Sequence, residues 1–127
     1  MLVAYISLTG NVRSFVDKLS LPGKELDFYQ PLEEIVGDFV LVIPSYSAEV
    51  TNMISTFLEY QNNKQYLKGV AGSGSLNYNS SYCFNAREIA TKYEVPLIHT
   101  FEFNGRDNDV EKFLEGVNKL GITETDQ

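Results

Sequence analysis

Three polar tracts in this 127-residue chain carry the hydroxyl, amide and glycine groups that could hold a small anionic ligand. The first, Ser7-Leu8-Thr9-Gly10-Asn11-Val12, follows the apolar run Val3 to Ile6 and precedes residues spaced for a helix. A turn of this kind offers hydroxyls and unpaired backbone N–H groups at the positive end of a helix, which suits a phosphate. The same residues would also serve as a plain helix cap with a glycine relieving a tight turn, so this tract alone leaves both uses open. The second tract is Pro44-Ser45-Tyr46-Ser47-Ala48-Glu49, and the third and longest is Gly72-Ser73-Gly74-Ser75-Leu76-Asn77-Tyr78-Asn79-Ser80-Ser81-Tyr82. Tyr46 and Tyr78 offer planar faces to a ring, while Gly72 and Gly74 would let backbone approach its edge.

The elements between these tracts decide whether they can meet. Val12, Phe15, Val16 and Leu19 recur at helical spacing, and so do Val50, Met53, Ile54, Phe57 and Leu58. Phe39 to Ile43 is continuously apolar, as a parallel strand covered on both faces should be, and Pro44 is expected to stop it. Further strands are expected at about Leu67 to Ala71 and Leu97 to Phe103, with a short edge strand within Lys24 to Tyr29. Gln30 to Asp38 is too short for a full crossover helix and reads as a loop, with at most one helical turn. Phe84, Ile89, Ala90 and Tyr93 mark a third helix, and Val110, Phe113, Leu114 and Val117 a fourth, capped by Asp107 or Asn108. This alternation predicts one α/β domain over residues 1–121, with residues 122–127 as a frayed tail. Its parallel sheet should have the flavodoxin-like order 2-1-3-4-5, which brings the three polar tracts to one edge.

Composition removes several classes of function. A net charge of −7 opposes binding to nucleic acid, and no apolar run approaches the roughly 20 residues of a membrane span. The start lacks the pattern of a signal peptide, so a cytoplasmic protein is expected. One cysteine, Cys83, and one histidine, His99, offer neither an internal disulfide nor a Cys/His metal cluster. Cys83 reads as buried packing, and His99, in phase with Leu97 and Phe101, as a structural histidine with its polar atoms satisfied. A phospho-receiver would need acidic residues where Ser7 and Pro44-Ser45 stand. A low-molecular-weight phosphatase would need its cysteine at the head of a cradle, and no Walker A lysine or complete G-x-G-x-x-G occurs.

What remains is an uncharged phosphate cradle with two aromatic and glycine-bearing turns, the combination that FMN requires. No charged residue lies between Gly69 and Ala86, and Glu49 is the one charged residue of the second tract. If these tracts enclose a flavin, little carboxylate charge opposes the anionic reduced ring, and full reduction should proceed without a strongly favoured one-electron stage.

The tracts together resemble the NrdI flavoproteins. The resemblance rests on Ser7 to Val12, on Val42-Ile43-Pro44-Ser45-Tyr46, on Gly69 to Tyr78, and on Tyr93-Glu94-Val95-Pro96-Leu97 through Phe101-Glu102-Phe103-Asn104-Gly105. It covers almost the whole chain in order, and the Gly-Ser-Gly turn followed by Asn77 and an aromatic is its most specific part. It implies a compact FMN-binding redox accessory protein, not an independent turnover enzyme. Reduced by an electron donor, such a protein reacts with molecular oxygen and supplies superoxide or a related oxidant to the small subunit of class Ib ribonucleotide reductase. There the oxidant assembles the dimanganese-tyrosyl radical cofactor, whose metal belongs to the partner.

Position by position, the resemblance assigns Ser7, Leu8, Thr9, Gly10, Asn11 and Val12 to the phosphate loop. It assigns Pro44, Ser45, Tyr46 and Ser47 to the second flavin loop, and Ser73, Gly74, Ser75, Leu76, Asn77 and Tyr78 to the third. Two stretches depart from the family pattern. Ser47-Ala48-Glu49 lacks the glycines common there, and Ser75-Leu76 stands where Asn-Arg is frequent. An ordinary one-electron flavodoxin, which the acidity would suit, and a flavin-free binding module that kept the fold are the alternative readings. The neutral third tract argues against the former.

Overall fold

The computed structural model describes residues 1–75 and 82–125. Strand β3 (Phe39–Pro44) is the centre of the fold. Phe39 to Ile43 are completely buried and alternate between two cores, Phe39, Leu41 and Ile43 entering one, Val40 and Val42 the other. That period of two is why a continuously apolar run is needed here: each residue faces a layer of helices.

Around it, β1 (Leu2–Tyr5), β2 (Gly23–Glu25), β4 (Leu67–Gly74) and β5 (Leu97–Glu102) complete a parallel sheet of order β2-β1-β3-β4-β5, as expected from the sequence. Helices α2 (Ala48–Glu59) and α3 (Phe84–Lys92) pack on one face through Met53, Ile54, Phe57, Leu58, Ala86 and Ile89. Helices α1 (Asn11–Asp17) and α4 (Asp107–Thr125) pack on the other. There Phe15 stacks on Phe101 with ring centroids 3.9 Å apart and meets Phe113 edge-on at 5.6 Å. No helix among the described residues is long and apolar enough to cross a membrane.

The structure corrects the expected limits of several elements. Gly72-Ser73-Gly74 is not a turn but the end of β4, with Gly72 in register with Ile43, Ser73 with Pro44 and Gly74 with Glu102. Glycine content suggested a turn, but pairing on both sides holds the segment extended. Pro44 is likewise the last residue of β3, after which the Ser45 N–H donates to the Ser73 carbonyl at 2.8 Å. The edge strand stops at Glu25, and Phe103 lies beyond β5 in a left-handed conformation, φ 52°. Helix α4 is capped by neither Asp107 nor Asn108, both of which lie inside it. Its Asp109 carboxylate instead reaches back to the Arg106 N–H at 2.8 Å, satisfying a donor just ahead of the first turn. Helix α4 runs to Thr125.

The crossover from β2 to β3 contains no helix, so its backbone polar groups need partners from elsewhere. Asn63, fully buried in a 3₁₀ turn (Asn63–Tyr66), supplies two of them. Its Oδ1 accepts from the Ile35 N–H at 2.8 Å, and its Nδ2 donates to the Glu33 carbonyl at 2.7 Å and the Phe57 carbonyl at 2.8 Å. One side chain thus fastens the crossover to the end of α2. Asn63→Ala strands these groups and should lower the unfolding free energy by roughly 2–4 kcal/mol. Urea denaturation of the two proteins checks this, and an unchanged midpoint and slope would contradict it.

Candidate functional site

The turns after β1, β3 and β4 converge at the carboxyl edge of the sheet, where parallel α/β sheets bind ligands. Leu8, Thr9, Asn11 and Val12 from the first, Pro44 and Ser45 from the second, and Ser73, Gly74 and Ser75 from the end of β4 line one cleft. Phe103, which sequence reasoning did not single out, supplies a further wall and is half exposed at 52%. None of these lining residues is ionisable.

Hydrogen bonds fix the frame of this cleft. The Phe103 N–H donates to the Gly74 carbonyl at 3.1 Å, and Ser73 Oγ donates to the Phe103 carbonyl at 2.5 Å. Lys18 Nζ donates to the Asn104 and Gly105 carbonyls, tying the following turn to α1. Position 105 must be glycine for a second reason: its φ is +72°, and a Cβ there would stand 2.7 Å from the Phe15 ring. Ser45 Oγ is buried with no nitrogen or oxygen partner among the described residues and lies against the weakly polar Cys83 thiol. Such an atom has unused hydrogen-bonding capacity at the cleft wall.

The first turn folds around Gly10, which precedes α1 at φ 90°. Its carbonyl accepts the Ser14 N–H at 3.0 Å, and Ser7 Oγ accepts the Arg13 N–H at 3.1 Å. Ser7 is therefore the side chain that closes the turn, and it lines a neighbouring depression with Leu8, Glu25 and Tyr29. The Asn11 and Val12 N–H groups, too early in the helix for an intrahelical acceptor, have no partner among the described residues. Thr9 is exposed and Asn11 half-buried beside them.

The remaining expected site residues divide. Tyr46 is 72% exposed and not in the cleft lining, and Ser47 Oγ accepts the Glu49 N–H at 3.3 Å as the cap of α2. Leu76, Asn77 and Tyr78 lie outside the described residues. Gly72 faces away from any ring site: a Cβ there would stand 2.6 Å from that of Ala86, so its role is to let α3 pack closely on β4. Asn85, in the first turn of α3, is a buried polar residue that sequence reasoning missed, and its partners are in the second turn.

The two titratable side chains just ahead of α3 stay neutral. Burial pushes the Cys83 thiol up, and burial together with the neighbouring Cys83 pushes Tyr82 up to about 12. Cys83 is buried, as its packing role requires, in a left-handed conformation immediately before α3. His99 is satisfied structurally, its Nε2 2.8 Å from Asp109 Oδ1.

Residues 3–115 match the family model for NrdI flavodoxin-like proteins. The chain belongs to the NrdI flavodoxin-like family. It is similar to Protein NrdI of Wigglesworthia glossinidia brevipalpis, at 37% identity over 94% of this chain and 89% of that one. It is also similar to Protein NrdI of Mesoplasma florum, at 32% identity over 89% and 80% respectively. Among solved structures, the fold of this NrdI-family chain matches a short-chain flavodoxin associated with a bacterial microcompartment at TM-score 0.62, 16% identity and 96% coverage of both chains. The regulatory domain of the biofilm regulator CsgD matches at TM-score 0.54 and 16% identity over 94% of this chain and 88% of that one. Two-electron-reduced Megasphaera elsdenii flavodoxin matches at 0.51 and 16% over 94% and 99%. These likenesses show the fold, which flavodoxins share with a regulatory domain; the family membership comes from sequence.

Asp109 gives the site region a pH dependence. Burial alone would raise its pKa, but hydrogen bonds from His99 and the Arg106 N–H outweigh this and hold the carboxyl below its ordinary value. The stability it contributes should be fully present above about pH 4, the unfolded-state value, and be lost as pH falls through the lower folded-state pKa. Comparing Asp109→Asn with the parent by denaturation across pH 2.5–7 should show a gap at neutral pH that closes in acid. A gap that widens in acid would refute the assignment.

Proposed function

We propose that this chain binds FMN at the carboxyl-edge cleft and works in the cytoplasm as a redox accessory protein of class Ib ribonucleotide reductase. Reduced by an electron donor and met by molecular oxygen, it would furnish superoxide or a related oxidant for the dimanganese-tyrosyl radical cofactor of the reductase small subunit. The observation that carries this reading is the uncharged cleft at which three turns meet, in a chain of the NrdI flavodoxin-like family.

The residues present fit the cofactor. Thr9 and Asn11, with the unpartnered Asn11 and Val12 N–H groups, are suited to hold the phosphate. Ser45, Gly74 and Phe103 would border the ring. Tyr46 and the residues Leu76, Asn77 and Tyr78 are the further candidates of the second and third loops. Bound FMN would supply two-electron storage and reactivity toward oxygen. The described lining would place no carboxylate directly against the anionic reduced ring.

Anaerobic reductive titration of the FMN-loaded protein, followed by visible absorbance, tests the proposal. Bleaching in a single two-electron transition supports it and leads to an activation assay with a dimanganese reductase subunit. Accumulation of a stable one-electron form would favour a flavodoxin-type carrier, and failure to bind FMN would remove both readings in favour of a binding module. Thr9→Ala should weaken FMN binding about tenfold, roughly 1.4 kcal/mol, with unchanged far-ultraviolet circular dichroism. Unaltered affinity would argue against the phosphate assignment.

A further inference from the structure

The second turn of the cleft is anchored at its start by the Ser45 N–H to the Ser73 carbonyl and at its end by the Ser47 cap of α2, while Tyr46 between them is largely exposed. Between these anchors its backbone is held from the opposite element. Asn85, completely buried near the start of α3, accepts the Tyr46 N–H on Oδ1 at 3.0 Å. Its Nδ2 donates to the Ser47 carbonyl at 2.8 Å and to Thr51 Oγ1 at 2.8 Å.

The partners fix which way the amide faces. A backbone N–H can only donate and a carbonyl only accept, so oxygen must meet Tyr46 and nitrogen Ser47. Both amide protons are used, and the backbone on either side of Tyr46 is clamped. The clamp reaches this far because α3 sits close on β4: position 72 has no Cβ to collide with Ala86, and a Cβ at Gly74 would stand 3.1 Å from Cys83 Sγ.

We propose that Asn85 is a positioning residue that holds the second turn in its ligand-binding conformation, acting on FMN through the Ser45-Tyr46-Ser47 backbone without touching the cofactor. This rests on the reading of the cleft as an FMN site. Without the clamp the turn samples other conformations, and apparent affinity falls by the fraction of time it spends in the competent one. A turn competent about one-tenth of the time raises the apparent Kd about tenfold.

Three variants separate positioning from general stability. Asn85→Ala removes the clamp. Asn85→Asp preserves its shape and the acceptor for Tyr46 but sets a carboxylate oxygen against the Ser47 carbonyl, and it serves if the alanine variant does not fold. Thr51→Val removes one Asn85 partner that lies on α2 and leaves both bonds to the turn. For each, FMN Kd by fluorescence titration, visible circular dichroism of bound FMN, and amide hydrogen exchange across residues 45–48 in the flavin-free protein are measured beside the unfolding midpoint.

The expected result is a Kd raised about tenfold, an altered flavin dichroism and faster exchange at 45–48 in the Asn85 variants. Thr51→Val should lower the midpoint while leaving Kd within about twofold. Equal Kd changes in Thr51→Val and the Asn85 variants, or Asn85 variants that lose stability with Kd and exchange unmoved, would overturn the proposal. If the parent protein binds no FMN, the cleft reading fails by itself. Exchange at 45–48 then decides the clamp: faster exchange in the Asn85 variants supports it, and unchanged exchange overturns it.

Discussion

Helix α3 can lie against β4 only because position 72 carries no side chain. A single methyl there would stand 2.6 Å from the Ala86 Cβ, well inside contact distance. Van der Waals exclusion at this one point sets the depth of the helix, and three features at the carboxyl edge depend on that depth. Cys83 comes to rest beside Gly74 and Ser45, Asn85 reaches the second turn, and the apolar side chains Ala86 and Ile89 enter the core shared with β3 and α2. Packing on one face of the sheet thereby sets the geometry of its edge.

How far the chain could be read in advance follows from the range of the forces involved. The strand Phe39 to Ile43 and the stripes of α1, α2 and α4 were legible because burial imposes a period of 2 or 3.6 on neighbouring residues. The first turn and the end of β3 were legible as polar interruptions of those periods. Gly72-Ser73-Gly74 was misread because glycine signals local freedom, whereas its conformation is dictated by β3 and β5 on either side. Asn63 and Asn85 look like ordinary helix-end and helix residues in sequence, since their partners in the crossover and the second turn lie 30 and 38 residues away along the chain. Phe103 was read as the end of a strand, and its place in the cleft wall depends on a left-handed backbone turn that no local pattern announced. The cap of α4 followed the same lesson on a smaller scale: Asp109 acts backward across three residues, so the acidic residue nearest the helix start was not the one that mattered.

The chain carries a net charge of −7, yet among the described residues the cleft is lined without an ionisable side chain. Acidic residues near the edge are occupied with partners of their own. Glu25 forms a two-point pair with Arg13, whose hydrogen bonds hold its carboxyl below the ordinary range, and Asp109 is engaged by His99 and Arg106. Overall acidity and local neutrality are therefore compatible, and it is the local property that governs a bound group within a few ångströms. The same fold in a regulatory domain shows that the sheet supplies the edge while the residues placed on it decide its use.

The crossover between β2 and β3 is ordered by Asn63 and not by a helix of its own. Its Ile35 and Glu33 backbone groups find their partners only after the end of α2 and the following 3₁₀ turn have formed. In the folding reaction the Glu33 to Ile35 part of this segment is expected to dock late, behind the helix that anchors it, because its bonds to Asn63 close about 30 residues of chain. In the native protein β1 pairs with β3 directly while Ile35 and Glu33 lean on Asn63, so local opening there is expected to expose Ile35 before that strand pairing is lost.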